Sequence, residues 1–524
     1  MKITFERGIN ERSDQGIDPK ECSNGRNFEL GMNINSFQPR ASFDYYATAP
    51  ITTSTSMGFM QLVKRDLTET TLVSVGASVY QVSGASPVFS SVGTITSGSR
   101  LRDTYWSLGD YLVITDLEKL TVVKKWDGTT FSTLTTGLGT SLYARYGIVH
   151  NGRVWLFNVK TTTDTPHLMA ASAFENPESY DTSARAPFAT STATGNEAFY
   201  MLSPDLRKIV GATVFMDDLI IVTDRGSLFK LVGVDANDYQ WLPFYLGSGS
   251  LGYESIINVG NDILYMKPSG AIELFTSTQQ YGDVRSDDIS RWIPTTIAGL
   301  DNESTNPVGS IACYDQINQK VYWFVRTTGG RGKVLVLFKD IMGSELSPWS
   351  IYETAHASDF ITSAAKFMYQ PGTKNYFVFF GDSTGNIFKM NGTGLGDGDT
   401  LSSIRTYRTS RLLEGNGVSN IAIGSIQYRR QYEVTAGLSI TWGEDYGIDA
   451  AAVVLKGNSG TDGAYFGGSN YFGGAVYFNQ GVQFGDIPSK RSFSHTGMGT
   501  TFTSTISIDT VNPFQVDYLE LMID

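Results

Sequence analysis

One local phrase recurs along most of this chain and restricts what it can fold into. A run of β-branched and aromatic residues meets a polar or glycine turn, and a second such run follows. Between Gly58 and Asn391 the phrase is seen as Thr71–Val82 (TLVSVGASVYQV), Tyr111–Phe131 and Tyr146–Asn158 (YGIVHNGRVWLFN). It returns as Ile209–Val232, Ser255–Phe275, Val308–Phe338 and within Phe360–Met390. Asp127-Gly128 and Asn151-Gly152 are turns whose glycines supply the positive φ of tight hairpins. The spacing of roughly 35 to 60 residues suits the blades of a β-propeller. The reading is therefore all-β: a propeller of about six or seven blades followed by a separate C-terminal β-sandwich-like domain. A string of β-sandwiches would show the same hairpins and stays open as the alternative.

Composition agrees with that class and excludes others. Only 18% of the 524 residues are charged, while 55 are Gly and aromatic residues make 12%. This argues against bundles and coiled coils. A net charge of -12 excludes a general nucleic-acid clamp or a binder of anionic membranes. The two cysteines, Cys22 and Cys313, cannot form a disulfide framework and suit a reducing compartment. Apolar runs such as Leu219–Val222 and Val334–Phe338 are strand-sized, and the N-terminus lacks the apolar core of a secretion signal.

The chain divides into an extended N-terminal arm at 1–50, a propeller core at 51–395, and a C-terminal β domain at 396–524 beginning in the turn-rich Gly392–Thr400. Within the core, Thr161–Lys208 is long and polar and reads as an excursion from the sheet framework. Ser286–Ile293 is predicted as a short helix capped by Ser286. C-terminal strands are expected at Ile421–Tyr428, Leu438–Trp442, Thr501–Ile508 and Phe514–Ile523. Between them, a loop at 457–486 repeats an aromatic pair: Tyr465-Phe466, Tyr471-Phe472 and Tyr477-Phe478, the first two followed by Gly-Gly. Pliable glycines and broad rings make these six residues the candidate gate or subunit-contact loop. A hairpin packing its rings on its own domain is the equally weighted alternative.

No catalytic constellation emerges. His150, His167, His356 and His495 lie in no metal-ligand spacing, so no metal is expected. Gly247, Gly249 and Gly252 match GxGxxG formally, but a strand rather than a helix follows, which reads as an inter-blade connection and not a dinucleotide site. Asp235–Asp238 and Gly396–Asp399 lack the spacing of a calcium loop. Trp126–Phe131 departs from a sialidase-type turn because Gly128 directly follows Asp127. No carboxylate pair is singled out for glycoside hydrolysis. The basic clusters Arg405–Arg411 and Arg429-Arg430 read as solvated faces or interface partners. The expectation is no enzyme, no catalytic residue and no cofactor.

Four passages resemble the tail nozzle proteins (tail tubular protein B) of short-tailed bacteriophages and the related packaged-DNA stabilisation tail accessory proteins. They are Gly8–Leu30 (GINERSDQGIDPKECSNGRNFEL) with Pro39-Arg40, Tyr146–Phe157 followed by Met169–Asp181 (MAASAFENPESYD), Leu246–Ser290, and the aromatic-glycine repeat. The resemblance implies a structural virion protein, made in the bacterial cytoplasm and built into the tail. Its copies would form a ring, a homohexamer, below the portal-adaptor tail proteins and beside tail fibre or spike proteins. Phage DNA would be retained by this distal nozzle and later pass through the lumen without sequence-specific binding. In that setting the polar arm would clasp a neighbouring subunit or the adaptor. The alternatives are a propeller that recognises a host glycan or protein through platforms such as Trp106, Trp126 or Trp155, and, behind it, a propeller carbohydrate hydrolase.

Overall fold

A computed structural model describes residues 2–4, 8–12, 21–30, 37–47 and 57–390. Within the last span it omits 139, 182–195, 225–226, 234, 236, 246–249, 251, 278–283, 302–309, 331, 343–346, 354–361 and 374. From 396 to 523 it describes the backbone of the strands alone. Seven four-stranded antiparallel sheets run in chain order through the described residues. Their innermost strands are Met57–Val63, Leu101–Trp106, Tyr143–His150, Ile209–Phe215, Ile256–Val259, Ile311–Asp315 and Ala364–Tyr369. Each innermost strand packs against the next, and the last returns to the first. This closed ring of sheets is a seven-bladed β-propeller, with blades 1 to 7 numbered here in that order.

The pattern of burial explains why these sequences choose a propeller. A blade is covered on both faces, so its central strands tolerate continuous apolar runs. Tyr111–Asp116 is buried throughout, and Arg153–Lys160 is buried at all but its last residue. The outer strands Val88–Thr94 and Gln240–Tyr245 are largely exposed, as befits the rim. Each junction between neighbouring blades holds its own apolar cluster. Leu72, Ile114 and Trp126 fill blades 1–2, Tyr146, Phe157 and Ile221 fill blades 3–4, and Tyr322, Val336 and Phe380 fill blades 6–7. Fully burying one such Leu, Ile or Phe stabilises by about 1.5–3 kcal/mol.

Two of the buried indoles donate their N–H to neighbouring elements. Trp126 Nε1 donates to Thr70 Oγ1 at 2.9 Å, and Trp349 Nε1 donates to the Ile289 carbonyl at 2.7 Å. Turns between strands are organised by aspartates acting as local acceptors. The buried Asp116 carboxylate accepts from the backbone N–H groups of Arg100, Glu118, Leu120 and Thr121 at 2.8–3.1 Å. Asn151 (φ 47°) and Gly152 (φ 65°) supply the paired positive φ angles of the blade 3 hairpin.

The arm differs from the sequence expectation. It is not a free extension: Asp44–Ala47 pairs with Ile387–Lys389 and forms the outer strand of blade 7, which otherwise has three strands. The propeller thus begins inside the stretch assigned to the arm and is closed by a strand from the opposite end of its sequence. Upstream, Gly8 and Ile9 donate backbone N–H to the carbonyls of Ser347 and Trp349 at 2.9 and 2.7 Å, and Asn27 donates to that of Ile351 at 2.8 Å. The arm therefore lies on the outer edge of blade 6, with Ile9, Cys22 and Phe28 in the same apolar cluster as Trp292, Trp323 and Trp349.

Two further expectations are corrected. The segment 161–208 contributes two framework strands: Asp164–Ala171 and Phe199–Leu202 are the third and fourth strands of blade 3. Polarity misled because Asp164–Leu168 lies towards the rim, where burial is partial. Ser286 caps no helix. Pairing with Ile272–Ser277 holds Val284–Asp288 as a strand, a 3-10 turn at Ile289–Trp292 is capped by the Asp288 carboxylate, and an α-helix covers only Pro294–Ala298.

Beyond the propeller, two six-stranded antiparallel sheets combine arm and C-terminal strands. One joins Lys2–Thr4, Phe28–Leu30 and Phe37–Pro39 to Phe514–Ile523, Ser419–Arg430 and Ile487–Gly499. The other joins Cys22–Arg26 to Arg405–Thr409, Thr501–Ile508, Leu438–Glu444, Asp449–Leu455 and Leu412–Leu413. The candidate gate residues Tyr465, Phe466, Tyr471, Phe472, Tyr477 and Phe478 lie outside the described residues.

Candidate functional site at the propeller axis

The innermost strands surround an axial cavity of about 300 Å³. Successive residues of a strand point to opposite sides, so the adjacent Arg102 and Asp103 of blade 2 serve two different partners. Arg102 Nε donates to Glu254 Oε1 at 2.6 Å, and its Nη2 donates to the same oxygen. Glu254 sits in the 3-10 turn that leads into blade 5, so this pair crosses the axis. Arg100 lies 3.6 Å from the other carboxylate oxygen while its Nε and Nη2 donate to Glu118 at 3.0 and 2.7 Å. The side chains of Arg100, Arg102 and Glu254 are 6%, 14% and 12% exposed, so these are buried charges.

Asp103 faces the other way. It accepts from Lys366 Nζ of blade 7 at 2.5 Å and from the Gln61 backbone N–H of blade 1 at 3.0 Å. Gln61 in turn exchanges hydrogen bonds with the backbone of Tyr369 at 3.0 and 2.9 Å. Beside Glu254, Tyr253 stacks on Tyr146 with ring centroids 4.2 Å apart, and burial pushes the Tyr253 hydroxyl up to about 12. It is neutral at any physiological pH. Thr213 and Asn258 complete the lining through a 2.7 Å hydrogen bond between blades 4 and 5. The arrangement neutralises charge across the axis.

A second recess of about 480 Å³ lies between the arm, the short helix and blade 6. Arg26 Nε and Lys333 Nζ both bond to Glu353, at 2.9 and 2.7 Å. Burial raises the Glu353 carboxyl, but Lys333 and Arg26 outweigh it and hold the group below the usual range. Glu11 accepts from the Thr296 backbone N–H at 2.7 Å and from its hydroxyl at 2.5 Å. Its basic groups are thus engaged with Glu353, and Glu11 with Thr296.

The sequence candidates fall elsewhere. Trp106, Trp126 and Trp155 are buried in inter-blade cores and present no ring to a glycan, which removes them as platforms. His150 is buried at the end of a blade 3 strand, where burial lowers its basicity against the pull of Asp218 and Asp217. His167 lies in the third strand of the same blade, His495 in a C-terminal strand described by backbone alone, and His356 outside the described residues. Among the described residues no group of His, Cys, Asp or Glu is placed to hold a metal ion. Asp235–Asp238 is a self-bonded turn, with Asn237 N–H on Asp235 at 2.6 Å. Arg405, Arg408, Arg429 and Arg430 lie in C-terminal strands described by backbone alone, and Arg411 lies outside the described residues. Gly252 lies on the connection from blade 4 to blade 5, just before the 3-10 turn.

Sequence reasoning missed the axial quartet because its partners are 152 and 263 residues apart. The one signal was the adjacent pair of opposite charges, Arg102-Asp103, inside an otherwise β-forming strand.

The fold and site together define a seven-bladed propeller with a neutralised axis. No protein-family profile and no curated protein matches the sequence. Among solved structures the chain is similar to YCF48 from Cyanidioschyzon merolae, with 14% identity, 67% of this chain and 98% of that one covered, and a TM-score of 0.38. It is also similar to the β-propeller domain of Myceliophteria thermophila Cps50 (Swd1), with 11% identity, 68% and 100% coverage, and a TM-score of 0.39. A third is BBS1N in complex with ARL6DN, with 9% identity, 68% and 97% coverage, and a TM-score of 0.38.

Proposed function

We propose that this chain is a non-catalytic structural subunit, and specifically the distal nozzle subunit of a short phage tail. The observation that carries the first part is the charge-neutralised axis, where propeller ligands and substrates would otherwise enter. There the charges of blades 2, 5 and 7 are spent on one another. The second part rests on the sequence resemblance to nozzle proteins. It gains a constraint from the fold: DNA cannot thread a propeller whose axial space is this small, so the lumen lies between copies of the chain. An assembly of acidic subunits around such a lumen repels phosphates and lets the genome slide. Light scattering and negative-stain images test this. A closed ring of about six copies with a central hole is expected; a monomer at micromolar concentration refutes it.

A second reading, a propeller module that binds another protein, is favoured by one surface. The turns joining the first and second strands emerge on one face of the ring. Four of them carry exposed apolar side chains: Leu67, Leu108, Met216 and Ile317, with Leu67 80% and Ile317 63% exposed. Replacing these four by Ser separates the readings. Loss of the ring places the face between copies of the chain, and an intact ring that no longer joins particles places it against another protein.

A further inference from the structure

Among the described non-glycine residues with positive φ, three are buried: Asn27 (φ 58°), Lys119 (φ 54°) and Asn158 (φ 56°), and the last two face each other. A lysine in this conformation is uncommon, and such outliers persist only where the surroundings impose them. Lys119 lies in the blade 2 turn pinned by Asp116, with its backbone N–H on the Asp116 carbonyl at 2.9 Å. Asn158 lies in a β-bulge of blade 3, where the register jumps between Phe157 and Val159. A bulge re-aims a side chain, and this one directs the amide at the neighbouring blade. Lys119 Nζ meets Asn158 Oδ1 at 2.7 Å, and the Asp164 carboxylate bonds to the same Nζ. Asn158 Nδ2 donates to the Ile209 carbonyl at 3.1 Å, which fixes the amide plane.

We propose that Lys119 and Asn158 form an intramolecular isopeptide bond that ties blade 2 to blade 3. Amine, amide and carboxyl group are held together without an external reagent. In the first step the Lys119 ammonium passes a proton to Asp164. The freed Nζ lone pair attacks Asn158 Cγ, and the Nζ–Cγ bond forms. The protonated Asp164 then returns the proton to Nδ2, the Cγ–Nδ2 bond breaks, and nitrogen leaves as ammonia, which takes up the second proton of the attacking amine as ammonium. Lysine ammonium and asparagine amide become a secondary amide and ammonium, with no redox change. Burial favours the neutral amine, and Arg145 and Lys208 push the same way, against the pull of Asp164. Asp164 is half exposed, so the reaction is expected to be slow and to accumulate over the life of the folded protein.

Intact mass spectrometry of the purified, denatured chain tests this. Wild type is expected about 17 Da below its sequence mass, one ammonia lost. A tryptic digest is expected to yield a branched peptide joining Lys119 to Asn158, with no cleavage after Lys119. The branched peptide separates this from succinimide formation at Asn151-Gly152, which loses the same mass. Lys119→Met and Asn158→Ala are each expected to show no branched peptide, and Asp164→Ala to show at least a tenfold slower appearance of it. An aged wild-type chain at full sequence mass that trypsin cleaves after Lys119 overturns the proposal, whatever the stability of the variants.

Discussion

Glu254 is the point at which the axis is most sensitive. In Glu254→Ala, Arg102 loses both of its carboxylate bonds and keeps only the Leu101 carbonyl at 2.6 Å and longer contacts at 3.4 Å to the carbonyls of Met57 and Ser363. Arg100 keeps Glu118, so one guanidinium rather than two is stranded. Stranding a buried charge costs about 3–5 kcal/mol, whereas replacing both partners by apolar residues is close to neutral or stabilising. Glu254→Ala is therefore expected to lower propeller stability by about 3–5 kcal/mol. At no more than about 2 °C per kcal/mol for a body of this size, the melting temperature falls by up to roughly 6–10 °C. The double variant Arg102→Met/Glu254→Leu should recover most of that loss. Arg65→Ala, which breaks the largely exposed pair with Asp110, should cost no more than about 1 kcal/mol. Differential scanning calorimetry and urea unfolding followed by tryptophan fluorescence read all four proteins. A single variant that costs less than Arg65→Ala, or a double variant as weak as the single, refutes the reasoning.

Acid titration offers a second test. Burial raises the Glu29 carboxyl, but Lys320, the Tyr352 hydroxyl and Arg40 together hold it below its ordinary value. A carboxylate depressed in the fold stabilises fully above the ordinary Glu range, and that contribution is lost as pH falls through the depressed value. Glu29→Gln should thus be weaker than wild type at neutral pH, with the gap closing on acidification; a pH-independent gap in urea midpoints counts against it. Gly58 sits where an added Cβ would meet the Leu101 carbonyl at 2.5 Å, a backbone atom of the next blade. Gly58→Ala should destabilise by about 1–3 kcal/mol, measurable as a lowered urea midpoint. Removing residues 1–47 leaves blade 7 with three strands and uncovers Ile387 and Phe388, so the shortened chain should aggregate or yield to protease between blades 7 and 1; a cooperative melt like that of the full chain would show that Asp44–Ala47 is dispensable.

The hairpins were legible because their information is local. Alternating turn chemistry and β-forming runs such as Tyr146–Asn158 mark two strands wherever they occur, and runs as apolar as Val321–Val325 require cover on both faces. These features specify small sheets covered on both faces, which a propeller satisfies by stacking them side by side and which a string of β-sandwiches would show as well. Short-range polarity was a poorer guide: Asp164–Leu168 reads as a loop yet is part of a rim strand, because an outer position needs pairing but little burial.

The chain itself therefore determined the repeating unit and its period, since each is written within a few tens of residues. Only the closed ring decided that Tyr45 pairs with Phe388 and that Glu254 neutralises Arg102. It likewise decided that a bulged asparagine faces a lysine of the preceding blade. Those partners are chosen by where seven twisted sheets meet around an axis, a condition that distant residues satisfy together and that no stretch of sequence contains alone.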